Sequence, residues 1–154
     1  MKQLDNAMLD TLAQQAQQSP RKRANHNLHE DLSDPIQRLA IAMEPDTCIR
    51  PHRHLQTWEL LTALRGRFVV LHFDDSGTVV ARAVLSEDVQ ALEHPAGVWH
   101  GVLSLDAGGV IFEVKHGPYL PITAGDYLPG VELDDASLNA WYANAQVGDR
   151  LMRA

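Results

Sequence analysis

The chain has 154 residues, 45% of them apolar, which suffices for one domain with a sizeable core and leaves no room for a second full one. Twenty acidic against thirteen basic residues give a net charge of −7, which excludes general affinity for nucleic-acid backbones or anionic membranes, because both require a positive field. A single cysteine, Cys48, permits no internal disulfide, no apolar run approaches the roughly 18 residues of a spanning helix, and the N-terminus alternates polar and apolar residues too often for a signal peptide, so a reducing cytoplasm is the expected location.

In the first eighteen residues, Leu4, Ala7, Met8 and Leu12, with Leu9 beside them, recur at three- and four-residue steps and predict an amphipathic helix that Pro20 ends. The next stretch, RKRANHNLHEDLSDPIQ, is polar and reads as a loop or arm, so residues 1–36 form an N-terminal helix and arm. From 37 to 120 the chain breaks into short β-like runs: RLAIAM, TCIRPHRH, WELLTAL, RFVVLHF, TVVARAVL, VQALEHP, GVWHGVLSL and GVIFEVK. Turn signals separate them at roughly ten-residue spacing, the pattern of an antiparallel sandwich or barrel. Residues 121–154 form a loop and a helix, in which DDASLNAWYANA carries a capping signal and puts Leu138, Trp141 and Tyr142 on one face. The expected class is all-β with helical ends.

His52 and His54 stand two apart, so on a strand both project to one side and can converge on one ion. Glu59 can return to the same interior after the polar turn between, and His100 follows the turn PAGVW. Three imidazoles and a carboxylate suit one divalent transition metal: Fe, Mn, Ni, Co, Cu or Zn. Of the other histidines, His72 lies just before a turn and is expected to be exposed, whereas His94 and His116 adjoin Pro95 and Gly117 and read as turn residues. Cys48 reads as core.

Four further groups are candidates for the substrate. Arg50 shares strand parity with His52 and His54, and either faces the pocket mouth or is a solvated strand end. Glu113 and Lys115 share a face, as a pocket acid–base pair or as an exposed cross-strand pair. Arg23, Asn25, Asn27 and His29 alternate, as in a disordered linker or in an extended arm with one polar edge.

The spacing His52-x-His54-x4-Glu59-x6-Gly66, followed by Pro95-x-Gly97-x2-His100, resembles the two cupin motifs. Asp46, Val89 and Ser104 stand where that pattern has Gly, Gly and Asn, departures that fall on turns rather than ligands. More narrowly, PRKRANHNLHEDLSDPIQRL, CIRPHRH, WE and EVKHGPY resemble the WbuC family of cupin-fold metalloproteins, which occurs with bacterial surface-polysaccharide genes; the resemblance runs from about Pro20 to Tyr119. It implies a jelly-roll β-barrel or sandwich holding a metal, an arm over its mouth, and Tyr119 among the substrate contacts. The expected function is a metal-dependent enzyme acting on a small, anionic or sugar-like substrate, an isomerase or epimerase or an Fe-dependent oxygenase. A binding or sensing module for a carbohydrate or acid stays open beside it, and cupins commonly pair through sheet edges, so a homodimer is expected.

Overall fold

The computed structural model describes residues 1–151. Its elements in chain order are α1 (Asn6–Gln18), β1 (Arg23–Asn27), β2 (Ile36–Met43), β3 (Glu59–Arg65), β4 (Phe68–Phe73), β5 (Val79–Leu85), β6 (Ala91–His94), β7 (Trp99–Ser104), β8 (Gly109–His116), a 3-10 turn at Ala124–Asp126 and α2 (Asp135–Asn144). All strand pairs are antiparallel. One sheet has the order β1-β2-β8-β3-β6 and the other β5-β4-β7, so the jelly roll is an open sandwich rather than a closed barrel.

Two of the expected runs exchange roles. TCIRPHRH forms no strand: Pro51 lacks the N–H that a ladder needs, and the segment makes isolated bridges, His52 exchanging backbone hydrogen bonds of 2.9 and 2.8 Å with His100 on one side and pairing with Tyr127 on the other. Its place in the sheet is taken by β1, from the expected polar arm, whose alternation pairs it with β2 from Arg23 opposite Met43 to Asn27 opposite Leu39.

Helix α1 starts at Asp5, whose carboxylate accepts a hydrogen bond from the Met8 N–H at 2.9 Å. Its buried face is Leu9, Leu12, Ala13 and Ala16, turned away from the expected one: Ala7 is exposed. Leu9, Leu12 and the small Ala16 pack on Ala40 and Ala42 of β2 and on Val110 of β8, and this contact sets the rotation of the helix. Helix α2 is capped by Asp134, which accepts from the Ser137 N–H at 2.7 Å, and it lays Leu138, Trp141 and Tyr142 on the outer side of the small sheet against Val69, Leu71, Phe73 and Leu103. Tyr142 is fully buried and donates its hydroxyl hydrogen bond to the Ile49 carbonyl at 3.1 Å; it fits only because residue 101 is glycine, since a Cβ there would stand 2.5 Å from the Tyr142 oxygen.

Between the sheets an apolar plug of Met43, Ile49, Leu61, Phe68, Val70, Leu85, Val102 and Ile111 fills one end of the sandwich. The other end is polar, and register explains why. Glu59 of β3 sits opposite His94 on one side and Lys115 on the other, and Leu61 sits opposite Glu113, so one cross-strand row of the large sheet reads His94, Glu59, Lys115. In the facing sheet, His72 sits opposite His100. Among the described residues no helix is long and apolar enough to cross a membrane.

Candidate metal centre

His52, His54, Glu59 and His100 meet at the polar end of the sandwich. His52 and His54 come from the irregular segment, their ring centres 5.2 Å apart, and His100 comes from β7, its ring 4.4 Å from that of His52. One ligand atom from each of these three histidines lies within 4.8 Å of the other two. Glu59 completes the set, with Oε1 3.1 Å from His54 Nε2 and Oε2 3.1 Å from His100 Nε2.

The donor chemistry fits a metal. Nδ1 of His52 lies 2.8 Å from the Arg50 carbonyl and Nδ1 of His100 lies 2.9 Å from the Val98 carbonyl. A carbonyl has no proton to give, so each Nδ1 must donate, and the lone pair of the neutral ring is then on Nε2, toward the other ligands. An Nε2 facing a carboxylate oxygen at this distance needs a cation between them, a proton or a metal ion. Separations of 3.1 Å match what two donors at right angles would show around an ion with bonds of about 2.1 Å. Burial pushes the His52 imidazole down to about 3, with the His100 charge adding to it, so it is a neutral ligand across the ordinary pH range. Burial alone would raise the Glu59 carboxyl; contacts with His100 and His54 and the charge of Lys115 overturn this and hold it well below the usual carboxylate range.

The centre opens into a cavity of about 720 Å³ lined by all the substrate candidates: Arg23, Asn25, Asn27, His29, Arg50, Glu113, Lys115 and Tyr119. The buried setting of Glu113 and Lys115 removes the exposed-pair alternative. Lys115 Nζ lies 3.0 Å from Glu59 Oε1 and 2.8 Å from Glu113 Oε1. Burial and the nearby Glu59 charge raise the Glu113 carboxyl; burial would lower the Lys115 ammonium, but the two carboxylates raise it. From β1, Asn25 donates to Asn27 at 2.9 Å, and Arg23 forms no salt bridge among the described residues. His29 has Nδ1 against the Arg38 backbone at 2.9 and 3.0 Å, which leaves its buried Nε2 without a partner.

Arg50 reaches the wall, but its guanidinium is held by the C-terminal segment: the carbonyls of Val131 and Leu133 at 3.3 and 3.0 Å, and Asp135 at 3.2 Å. Cys48 is half-buried, packing against the core of the small sheet where that core meets the cavity wall, and burial together with Asp135 pushes its thiol up to about 11.

The other histidines depart most from expectation. His94 is 1% exposed and stacks flat on His100, with ring centres 4.2 Å apart; burial and the charges of His100 and His72 push it down to about 2. His72 is half-buried rather than exposed, its Nε2 2.6 Å from His94 Nδ1. His116, read as a turn residue, ends β8 and is exposed, its ring accepting from Trp58 Nε1 at 3.1 Å. One signal in the sequence could have found His94: it shares strand parity with Leu92, an inward-packed residue, and so must also face in.

His52 and His94 stay neutral when folded but protonate near 6.5 once unfolded. Below that pH the unfolded chain holds more protons, and stability falls with pH. For the metal-free protein, each histidine should cost about tenfold in folding constant per pH unit below roughly 6, with Glu59 adding to the loss below about 4.5. Urea unfolding midpoints between pH 7.5 and 5 check this, and a flat profile contradicts it.

Comparison with known proteins agrees with this architecture. The chain is similar to the crystal structure of TT1209 from Thermus thermophilus, at 25% identity over 75% of this chain and 97% of that one, with a TM-score of 0.55. It is also similar to KdgF from Halomonas sp., at 15% identity over 66% and 84% with a TM-score of 0.52. A third likeness is to recombinant oxalate oxidase in complex with glycolate, at 17% identity over 68% of this chain and 56% of that one, with a TM-score of 0.53. These likenesses show the cupin fold. No curated protein sequence matches. The model of a family described as "Domain of unknown function (DUF6016)" matches residues 4–85, more than half of the chain, and the protein belongs to that family.

Proposed function

We propose that the protein is a mononuclear metal-binding cupin of the cytoplasm, an enzyme acting on a small sugar-like or nucleotide-sugar substrate in surface-polysaccharide metabolism. The observation that carries the metal is the convergence of His52, His54 and His100 on the Glu59 carboxylate, with two of the imidazoles fixed through Nδ1. The polysaccharide setting rests on the resemblance to the WbuC family, and the residues of the resembling stretches, from Arg23 through Arg50 to Lys115 and Tyr119, line one cavity. The same fold holds a small hydroxy acid in the oxalate oxidase complex with glycolate.

His52, His54, Glu59 and His100 would hold the ion, which would supply Lewis acidity toward a carbonyl or hydroxyl oxygen or, as iron, oxygenation. Glu113 sits in the cavity wall where it can hold or move a proton, its carboxyl raised by burial and the nearby Glu59 charge. Arg23, with Asn25, Asn27, His29 and Tyr119 around it, meets an anionic group of the substrate; its planar fork of donors suits carboxylate or phosphate. One feature favours the second reading, a binding or sensing module: Lys115 is held by two carboxylates and so has no free role in proton transfer. The metal found in cell-derived protein separates the two, iron favouring oxygen chemistry and tightly held zinc favouring Lewis-acid or binding roles.

Elemental analysis of the purified protein should give close to one ion per chain, and replacing His52 and His54 together by Ala should remove it from a chain that still folds. Stoichiometric metal in that double variant overturns the ligand assignment. For the anion contact, Arg23→Ala should weaken binding of inorganic phosphate by about 1.5–3 kcal/mol in calorimetry while metal content stays constant. The edge strands β1 and β6 of the large sheet support a homodimer, and light scattering should give the mass of two 17.1 kDa chains.

A further inference from the structure

Four lysine and arginine side chains and three carboxylates line the cavity, and pairing them off leaves two cations over. Lys115 takes Glu59 and Glu113, and Arg50 takes Asp135. Arg21 and Arg23 are left with no salt bridge and no side-chain hydrogen bond among the described residues, in a chain with twenty acidic residues to offer. The two are neighbours: burial first and the Arg21 charge second push the Arg23 guanidinium down. Like charges facing one space repel, and a bound anion relieves that repulsion.

Charge decides which anion fits. Each guanidinium carries a full positive charge at neutral pH, so one carboxylate balances only half of the pair. A phosphate monoester carries about −1.5 to −2 at pH 7 and offers three oxygens to two planar forks of donors.

Register sets the place of this pair relative to the centre. Glu59 is opposite Lys115 and Lys115 is opposite Gln37, whereas Arg23 is opposite Met43, six residues further along β2. In the sheet order β1-β2-β8-β3, the backbones at Arg23 and Glu59 are therefore about 14 Å apart across the sheet and about 20 Å apart along it. The floor between them is apolar, with Leu39, Ile41, Leu61 and Ile111. Side chains reaching in from both ends shorten that gap without closing it, and no single sugar ring bridges it.

We propose that Arg21 and Arg23 form a phosphate subsite at the β1 end of the cavity, and that the ligand is an elongated phosphate ester. Its phosphoryl group lies on the two arginines, an apolar face of its body covers the floor, and its far end reaches toward His52, His54, Glu59 and His100. The proposal rests on the metal-centre reading above and narrows its anionic substrate to a phosphorylated one longer than a single sugar ring.

Calorimetry with inorganic phosphate and with acetate on the metal-free full-length chain reads the arginines without the ion, and ³¹P relaxation of phosphate on the Co²⁺-loaded protein reads the distance. Phosphate should bind at least about tenfold more tightly than acetate, and Arg21→Ala and Arg23→Ala should each weaken it about tenfold with circular dichroism unchanged. The ³¹P nucleus should relax as one more than about 10 Å from the ion. Absent phosphate binding, equal binding of acetate, unchanged affinity in Arg21→Ala, or a ³¹P nucleus at bonding distance from Co²⁺ overturns the subsite and leaves the metal centre standing. A protein that takes up no Co²⁺ yet binds phosphate through both arginines overturns the centre and leaves the subsite standing. The comparison of the two anions on wild type decides the question even where a variant does not fold.

Discussion

The organisation of this protein depends on one buried negative charge. The Glu59 carboxylate is 3% exposed, and a carboxylate taken out of water at that depth is tolerated only where opposite charge and hydrogen bonds surround it. Each of its two oxygens has a partner: His54 and Lys115 at one, His100 at the other. These come from the irregular segment, β8 and β7, so the single group ties both sheets and the segment between them to one point.

Cross-strand register makes this economical. A row of residues across β6, β3 and β8 turns three separate stretches of sequence into neighbours, and every second residue along β8 and β1 then faces the same cavity. Further along the same face of these strands, Leu61, Leu92 and Ile111 continue into the apolar plug at the other end. One side of one sheet thus serves as core over half its length and as polar cavity wall over the rest, without any insertion to build a separate site.

What could be read in advance follows from the range of the interactions involved. The ligand spacing around His52, Glu59 and His100, the glycine turns and the capped C-terminal helix are local, and each stood in the sequence; Gly66 and Gly97 do adopt positive φ, 73° and 83°. The polar alternation from Arg23 to His29 was equally local and marks an edge strand. Errors arose where a local sign met a non-local partner. Alternation in TCIRPHRH suggested a strand that Pro51 forbids; Arg50 lines the cavity without it, its guanidinium held by the C-terminal carbonyls. His94 was read from its proline neighbour, whereas its fate is set by β3, thirty-five residues earlier, and by His72 in the opposite sheet. Nothing within a few residues of His94 except its parity with Leu92 reports either.

The notch at Gly101 links the tail of the molecule to its chemistry. Tyr142 occupies the space that any side chain at 101 would need, directly after His100, while its hydroxyl grips the carbonyl of Ile49 three residues before His52. The C-terminal helix therefore acts as a keystone, wedged between the two stretches that deliver histidines. Local opening of that helix would release both at once, so hydrogen-exchange protection of α2 and the geometry of the histidine cluster belong to a single cooperative unit, and substitutions far along the tail would be felt first as a loosened cluster.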